Sequence, residues 1–466
     1  MASSRIEHTG RMNGLANGGP GMPRIGLGGT PFIGLVEAVR KLRNGSLSAE
    51  ELTRECLARI AAHETLVQAW NWIEPQRAIK LAQEVDATRP QNRAGMLAGI
   101  PLGIKDVIST VGIPTEMGSP IFAGHIPSES ATVIKTLERE GAFVLGKTVT
   151  TEFATQHPGK TRNPWNPAHT PGGSSSGSAA AVAAGFVPAA LGTQTRGSTI
   201  RPAAYCGVVG FKPSYGRISV DGVFPQSHTL DHIGLFARTV ADVALLASCC
   251  FPLGSQDRSA IDNSEVVLMP QKAPRLVAVR SSTWAQAEES QRANFSDSIR
   301  RLQVAGARVE TVELPEVFSA GMMAVKTIQL REIADLYAAK LPEWNGQISA
   351  AFRRYVEDGS NVTRAQYSEA LEMRESLINQ LVLFGDGFDG IVTPPAMGEA
   401  PYGLSFTGDA SFCGIWTLCG VPALSIPSGF GPHGLPLGLQ VVGMPGCDYR
   451  ALQAALWCEQ ALMSAV

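Results

Sequence analysis

Pro171-Gly172-Gly173-Ser174-Ser175-Ser176-Gly177-Ser178, running straight into Ala179-Ala180-Ala181-Val182-Ala183-Ala184-Gly185, decides how this chain is read. Three glycines among four serines leave the backbone free to turn tightly. The alanine-rich run behind them has high helix propensity and almost no side-chain bulk. The expectation is a hydroxyl-rich loop feeding a buried, closely packed helix. A flexible Gly/Ser linker is the bland alternative. Linkers do not usually lead into a strongly apolar helix, nor into a second small-residue loop such as Gly192-Thr193-Gln194-Thr195-Arg196-Gly197-Ser198. The serine loop is read as a site.

Composition sets the frame around it. Of 466 residues, 44% are hydrophobic and only 17% charged, so much of the chain must be buried and a globular, enzyme-sized protein is expected. A net charge of −2 offers no electrostatic basis for binding nucleic acid or an anionic membrane. Eight cysteines lack CxxC spacing and sit in apolar surroundings, as reduced thiols do, which fits a cytoplasmic compartment. No stretch approaches the roughly 18 apolar residues of a membrane span. Residues 1–30 are glycine-rich without the apolar core of a secretory signal and read as a disordered tail, with a single domain over 31–466.

Outward from the serine loop, helices are expected from Phe32 to Asn44 and after the capping box Ser48-Ala49-Glu50-Glu51, as scaffold. Leu97 to Val107 is an apolar, strand-like run carrying one lysine. A lysine there costs free energy unless it is paired or its pKa is lowered. On a strand Lys105 and Asp106 point to opposite faces, so Asp106 need not neutralise it. An edge-strand lysine facing water fits this segment equally well. Gly141 to Thr148 matches the phosphate-loop pattern G-x-x-x-x-G-K-[ST], but its intervening residues are bulky and apolar, so a short buried strand is expected. His228 and His232 have the spacing of a zinc helix without its glutamate or a third ligand, and no metal is expected.

Charge rises after residue 255. Helical patterns over Ala285 to Ala305, Ala320 to Ala339 and Arg364 to Leu383 suggest a more variable helical layer or cap over 285–385, flanked by strand-like Arg275 to Val279 and Gly390 to Thr393. Short glycine- and proline-punctuated apolar runs then return, and a helix from Tyr449 to Ala465 closes the chain. Alternating helices and short strands indicate an α/β fold.

Hydrolysing an amide needs a nucleophile, a proton carrier and donors for the oxyanion. No histidine here has a G-x-S-x-G elbow to serve, which leaves a serine–lysine arrangement open. At this point the residues resemble a family. The Gly172 to Gly185 stretch is similar to the signature of the amidase signature family. Gly103-Ile104-Lys105-Asp106 resembles its lysine motif, and Gly192 to Ser198 its nucleophile loop. Lys212-Pro213-Ser214-Tyr215-Gly216-Arg217, with Asp231-His232-Ile233-Gly234, resembles the stretch that follows, and Gly438 to Gly443 its C-terminal core.

The resemblance implies a large central mixed β-sheet flanked by helices on both faces, with a helical cap-like region. It implies hydrolysis of an amide or related C–N acyl bond, without metal or cofactor. Ser198 would be the nucleophile, and Ser174, which in this family follows a cis peptide bond, would bridge it to Lys105. Backbone N–H groups of Thr195, Arg196, Gly197 and Ser198 would form the oxyanion hole. Lys105 must then be neutral, which means lowering its pKa from ~10.4 toward 7, roughly 4 kcal/mol and within reach of burial. Ser175 and Ser176 are expected in loop hydrogen bonding, with Ser175 also a substrate-contact candidate. Arg201 either binds a substrate carboxylate or braces the loop.

Two departures stand out. The family's nucleophile loop usually reads Gly-Gly-Ser, and Arg196 replaces the first glycine; it is strained if the position needs φ > 0, and otherwise gains a role near the substrate. Gln194, where many members carry aspartate, points to a subset distinct from the tRNA-linked amidotransferase subunits. The partner expectation is a small-molecule amide-type substrate and a homodimer, with no nucleic acid and no membrane. The rivals are an amidotransferase subunit passing ammonia to a partner, and a non-catalytic binder.

Overall fold

The computed structural model describes residues 32–88, 90, 94–252 and 272–464. The expected tail over 1–30 lies outside the described residues. Eleven strands among them form one mixed sheet: β1 (Trp70–Ile73), β2 (Pro101–Lys105), β3 (Phe143–Thr148), β4 (Ala189–Gln194), β5 (Val209–Lys212), β6 (His232–Ala237), β7 (Arg275–Arg280), β8 (Arg308–Glu313), β9 (Gly390–Thr393), β10 (Ala423–Phe430) and β11 (Pro436–Val442). Their order is β1-β3-β2-β4-β6-β5-β10-β11-β9-β7-β8. The trio β3, β2 and β4 is parallel, as is the trio β9, β7 and β8; the strands between them pair antiparallel. Helices cover both faces, giving the α/β architecture expected.

The parallel trio β3, β2 and β4 is wholly buried, which is why these strands read as continuous apolar runs rather than alternating ones. The helix Ser176–Ala183 lies against all three strands and is buried along its whole length. Its small residues are a packing requirement. A Cβ on Gly177 would stand 2.3 Å from the Ala69 carbonyl oxygen and 2.4 Å from the Val149 nitrogen. The matched G-x-x-x-x-G-K-T stretch is the fully buried β3, a strand and not a phosphate loop. His232 opens β6 rather than sitting on a helix, with Nδ1 2.6 Å from the Leu230 carbonyl.

Between 285 and 385 the periodicity shows three helices, found at Glu289–Val304, Gly321–Tyr337 and Arg364–Phe384. It does not show the helix Ala350–Ser360 or the strand β8. β8 pairs in parallel with β7 at the edge of the sheet, where its charged residues meet water and break the apolar signal. Helix Glu289–Val304 buries Phe295, Ile299 and Leu302 in the main core. The helices Gly321–Tyr337 and Ala350–Ser360 instead build an aromatic cluster in which Phe153 and Phe352 stand 4.4 Å apart, with Tyr337 and Trp344 beside them. That cluster carries the wall of the cavity described next. All eight cysteines are free thiols. No helix among the described residues is long and apolar enough to cross a membrane.

Candidate active site

The parallel pairing of β2 with β4 delivers Lys105, the last residue of β2, beside the C-terminal end of β4. Lys105 is fully buried. Its Nζ lies 2.7 Å from Ser174 Oγ and 2.7 Å from Thr193 Oγ1. Among the described residues no carboxylate is within ion-pair distance of it. Burial pushes its pKa well below the ordinary lysine value, opposed only by the longer-range attraction of Asp231. Asp106 faces elsewhere, accepting from Asn71 Nδ2 at 2.9 Å and the Glu116 N–H at 3.1 Å. The opposite-face expectation holds.

The serine loop is stitched down one hydroxyl at a time. Ser175 Oγ donates to the Thr193 carbonyl (3.1 Å) and accepts the Thr193 N–H (3.2 Å). Ser176 Oγ donates to Val149 O, and Ser178 Oγ to Leu191 O. Ser175 is fully buried and outside the cavity. Ser174 alone of the four presents its hydroxyl to Lys105, and the Gly173–Ser174 peptide bond is cis.

Ser198 is half-buried and lines a cavity of about 310 Å³ together with Thr195, Arg196, Gly197 and Arg201. The loop 154–158, the loop 405–410 and the side chains of Gln226, Gln329 and Tyr355 complete its walls. Among the described residues the backbone N–H groups of Arg196, Gly197 and Ser198 meet no protein acceptor. Among the described residues, the non-glycine positions with positive φ are Gln68, Met117, Phe153 and Ala154, so Arg196 carries no left-handed strain. Gly197 answers to packing instead: a Cβ there would stand 2.9 Å from that of Ala410.

What holds this loop is not legible in the sequence. Gln194 Oε1 accepts the N–H groups of Thr199 (2.8 Å) and Ile200 (3.0 Å) at the start of helix Ile200–Cys206, and its Nε2 donates to Thr417 Oγ1 at 3.0 Å. Thr417 Oγ1 in turn donates to the Arg196 carbonyl at 2.8 Å. Thr195 Oγ1 donates to Asp231 Oδ1 at 2.5 Å, and Asp231 Oδ2 accepts the N–H groups of Gln226 and Ser227. Burial pushes Asp231 up to about 6. Arg201 is 7% exposed; its Nη2 donates to the Gly173 carbonyl at 2.6 Å and to Thr407 Oγ1 at 3.4 Å. Among the described residues, no group of three His, Cys, Asp or Glu side chains is arranged to hold a metal.

Chemically, these are a buried amine bonded, among the described residues, only to hydroxyls, and a cavity lined by a third hydroxyl and by N–H donors without a protein acceptor. The family model Amidase matches residues 51–452. A glutamyl-tRNA(Gln) amidotransferase subunit of Symbiobacterium thermophilum is 32% identical over 464 residues, covering 89% of this chain and 94% of that protein. The same subunit of Chloroflexus aggregans is 36% identical, covering 89% and 93%. Among solved structures, the native peptide amidase from Stenotrophomonas maltophilia superposes with a TM-score of 0.79 at 29% identity, covering 92% of this chain and 96% of that one. A crystal structure of an amidase superposes with 0.82 at 29%, covering 92% and 99%.

These relatives overturn the partner expectation of a small-molecule substrate alone, taken by a homodimer without nucleic acid. The matched proteins are named as one subunit of an amidotransferase of glutamyl-tRNA. The net charge sums over the whole chain and so says nothing of a local docking face.

Proposed function

The chain belongs to the amidase family, whose members hydrolyse C–N bonds, and from that premise we propose that it cleaves its substrate through an acyl-enzyme on Ser198 with Ser174 and Lys105 as the proton relay. Ser198 Oγ attacks the acyl carbon while its proton passes to Ser174 Oγ, and the proton of Ser174 passes to neutral Lys105 Nζ. The developing oxyanion accepts from backbone N–H groups of the 195–198 loop, where one donor is typically worth about 3–4 kcal/mol. Collapse returns the proton to the leaving nitrogen as the C–N bond breaks. Water then attacks the ester by the same relay, releasing the acid. Amides, anilides, carbamates (urethanes) and esters are all open to this route.

The observation that carries the reading is the bonding of Lys105: fully buried, at 2.7 Å from two hydroxyls, with no carboxylate among the described residues beside it. A hydroxyl both donates and accepts, so such a site tolerates an uncharged amine. A fluorophosphonate probe is the test. Labelling of the full chain that disappears in Ser198→Ala supports the acyl-enzyme. Absence of labelling in the unsubstituted chain overturns it and favours a member of the family that only binds.

A second reading rests on the relatives' name: a subunit that releases ammonia for a partner enzyme acting on aminoacyl-tRNA. Ammonia release from glutamine that appears only when a partner protein is added favours it. Equal release by the isolated chain counts against it.

A further inference from the structure

Two guanidinium groups line the cavity beside Ser198, those of Arg196 and Arg201. Among the described residues neither has a carboxylate within ion-pair distance. The Nε atoms of both are buried without a hydrogen-bond partner. Asp409 supplies the cavity's one carboxylate among the described residues, and its Oδ1 accepts the Ser411 N–H. Arg201 is committed through Nη2 to Gly173 and Thr407. Arg196 is not: among the described residues its guanidinium makes a single long hydrogen bond, Nη1 to Tyr355 Oη at 3.4 Å.

Arg201 is buried and Arg196 half-buried; shielding cationic groups from water without a paired carboxylate is costly, and an anion that enters beside them offsets that cost. The mount is rigid. The Arg196 carbonyl is held by Thr417, and Thr417 by Gln194, so the side chain is projected from a fixed backbone into the cavity. Across from it Tyr355 Oη donates to Gln329 Oε1 at 3.0 Å, and Gln329 Nε2 to Gln226 Oε1 at 2.9 Å. That wall is polar and uncharged, and it brings no negative charge of its own to Arg196.

We propose that Arg196 is the specificity determinant of this cavity and selects amide substrates bearing a carboxylate, gripped by its guanidinium fork beside Tyr355. The proposal rests on the hydrolase reading above and names the substrate class it acts on. A planar guanidinium offers two parallel donors to a carboxylate, which an ammonium does not.

The test compares two anilides on the full-length chain: the mono-4-nitroanilide of glutaric acid, which keeps a free carboxylate, and the uncharged 4-nitroanilide of pentanoic acid. The readout is the ratio of their kcat/KM values within each variant, because a ratio cancels general damage to the loop. The unsubstituted chain should favour the carboxylate by roughly 10–100-fold; Arg196→Gly should bring the ratio near one, and Arg196→Lys should fall between. A ratio that Arg196→Gly leaves unchanged, or a ratio of one in the unsubstituted chain, overturns the proposal. Independently of turnover, glutarate should slow fluorophosphonate labelling of Ser198 in the unsubstituted chain and not in Arg196→Gly. Labelling that glutarate never slows overturns the carboxylate site alone. Loss of labelling altogether overturns the hydrolase reading.

Discussion

Lys105 and Lys147 stand on adjacent parallel strands, β2 and β3, and neither side chain reaches solvent. Their surroundings differ in kind. Lys147 Nζ donates to the Ile108 carbonyl at 2.5 Å and to Thr115 Oγ1 at 2.7 Å, with Asp106 Oδ1 at 3.7 Å. Lys212, a third buried lysine, donates to the carbonyls of Pro213 and Val421. Carbonyls and carboxylates only accept, so these two ammonium groups are used as donors. Lys105 meets hydroxyls alone, and a hydroxyl can turn round and donate to an uncharged amine. What distinguishes a structural lysine from one suited to carry protons is therefore the kind of oxygen around it. Depth of burial does not separate them.

Substituting methionine at each lysine puts that contrast at risk. The largest effect is expected from Lys105→Met: kcat/KM falls about 10³-fold or more, as when one member of a catalytic unit is removed, while the thermal melting midpoint is unchanged or higher. A variant that melts much earlier, or one that stays active, would erase the distinction. Lys147→Met leaves Asp106 as a buried charge without its counter-ion, so the denaturant midpoint should fall by the equivalent of about 3–5 kcal/mol. Adding Asp106→Asn should recover part of the loss. Lys212→Met orphans two carbonyls and should cost about 1–3 kcal/mol, with the Ser198 labelling rate preserved.

The smallest effect is in pH. Because burial lowers the Lys105 pKa, the neutral, proton-accepting form accumulates as pH rises, and the rate climbs by at most about tenfold per pH unit before levelling off short of the ordinary lysine range. Lys105→Arg, which stays protonated, should be inactive across the whole profile. A pH-independent rate with chemistry limiting would contradict the assignment.

Much of this site can be read along the chain. The serine loop, the alanine helix and the lysine in an apolar run are local patterns, and strand periodicity places Lys105 and Asp106 on opposite faces. Gln194 stands out along the chain only as a departure. Its work as the clamp joining Thr199, Ile200 and Thr417 is invisible there, because Thr417 lies 223 residues away. Thr193 is one more residue inside a motif, for nothing local says that its hydroxyl faces Lys105 from the neighbouring strand. Strand β8 leaves no trace because a charged edge strand has no buried face to impose a pattern.

The sequence by itself determined where the chain turns, which stretches are buried, and that a small-residue helix follows the serine loop, since propensity, residue size and short-period hydrophobicity are properties of neighbouring residues. Only the tertiary structure decided which of three buried lysines meets hydroxyls alone, and that Arg196 lines the cavity with no carboxylate within ion-pair distance among the described residues. Those outcomes depend on oxygens and carboxylates contributed from far along the chain, whose positions exist only once the sheet has closed.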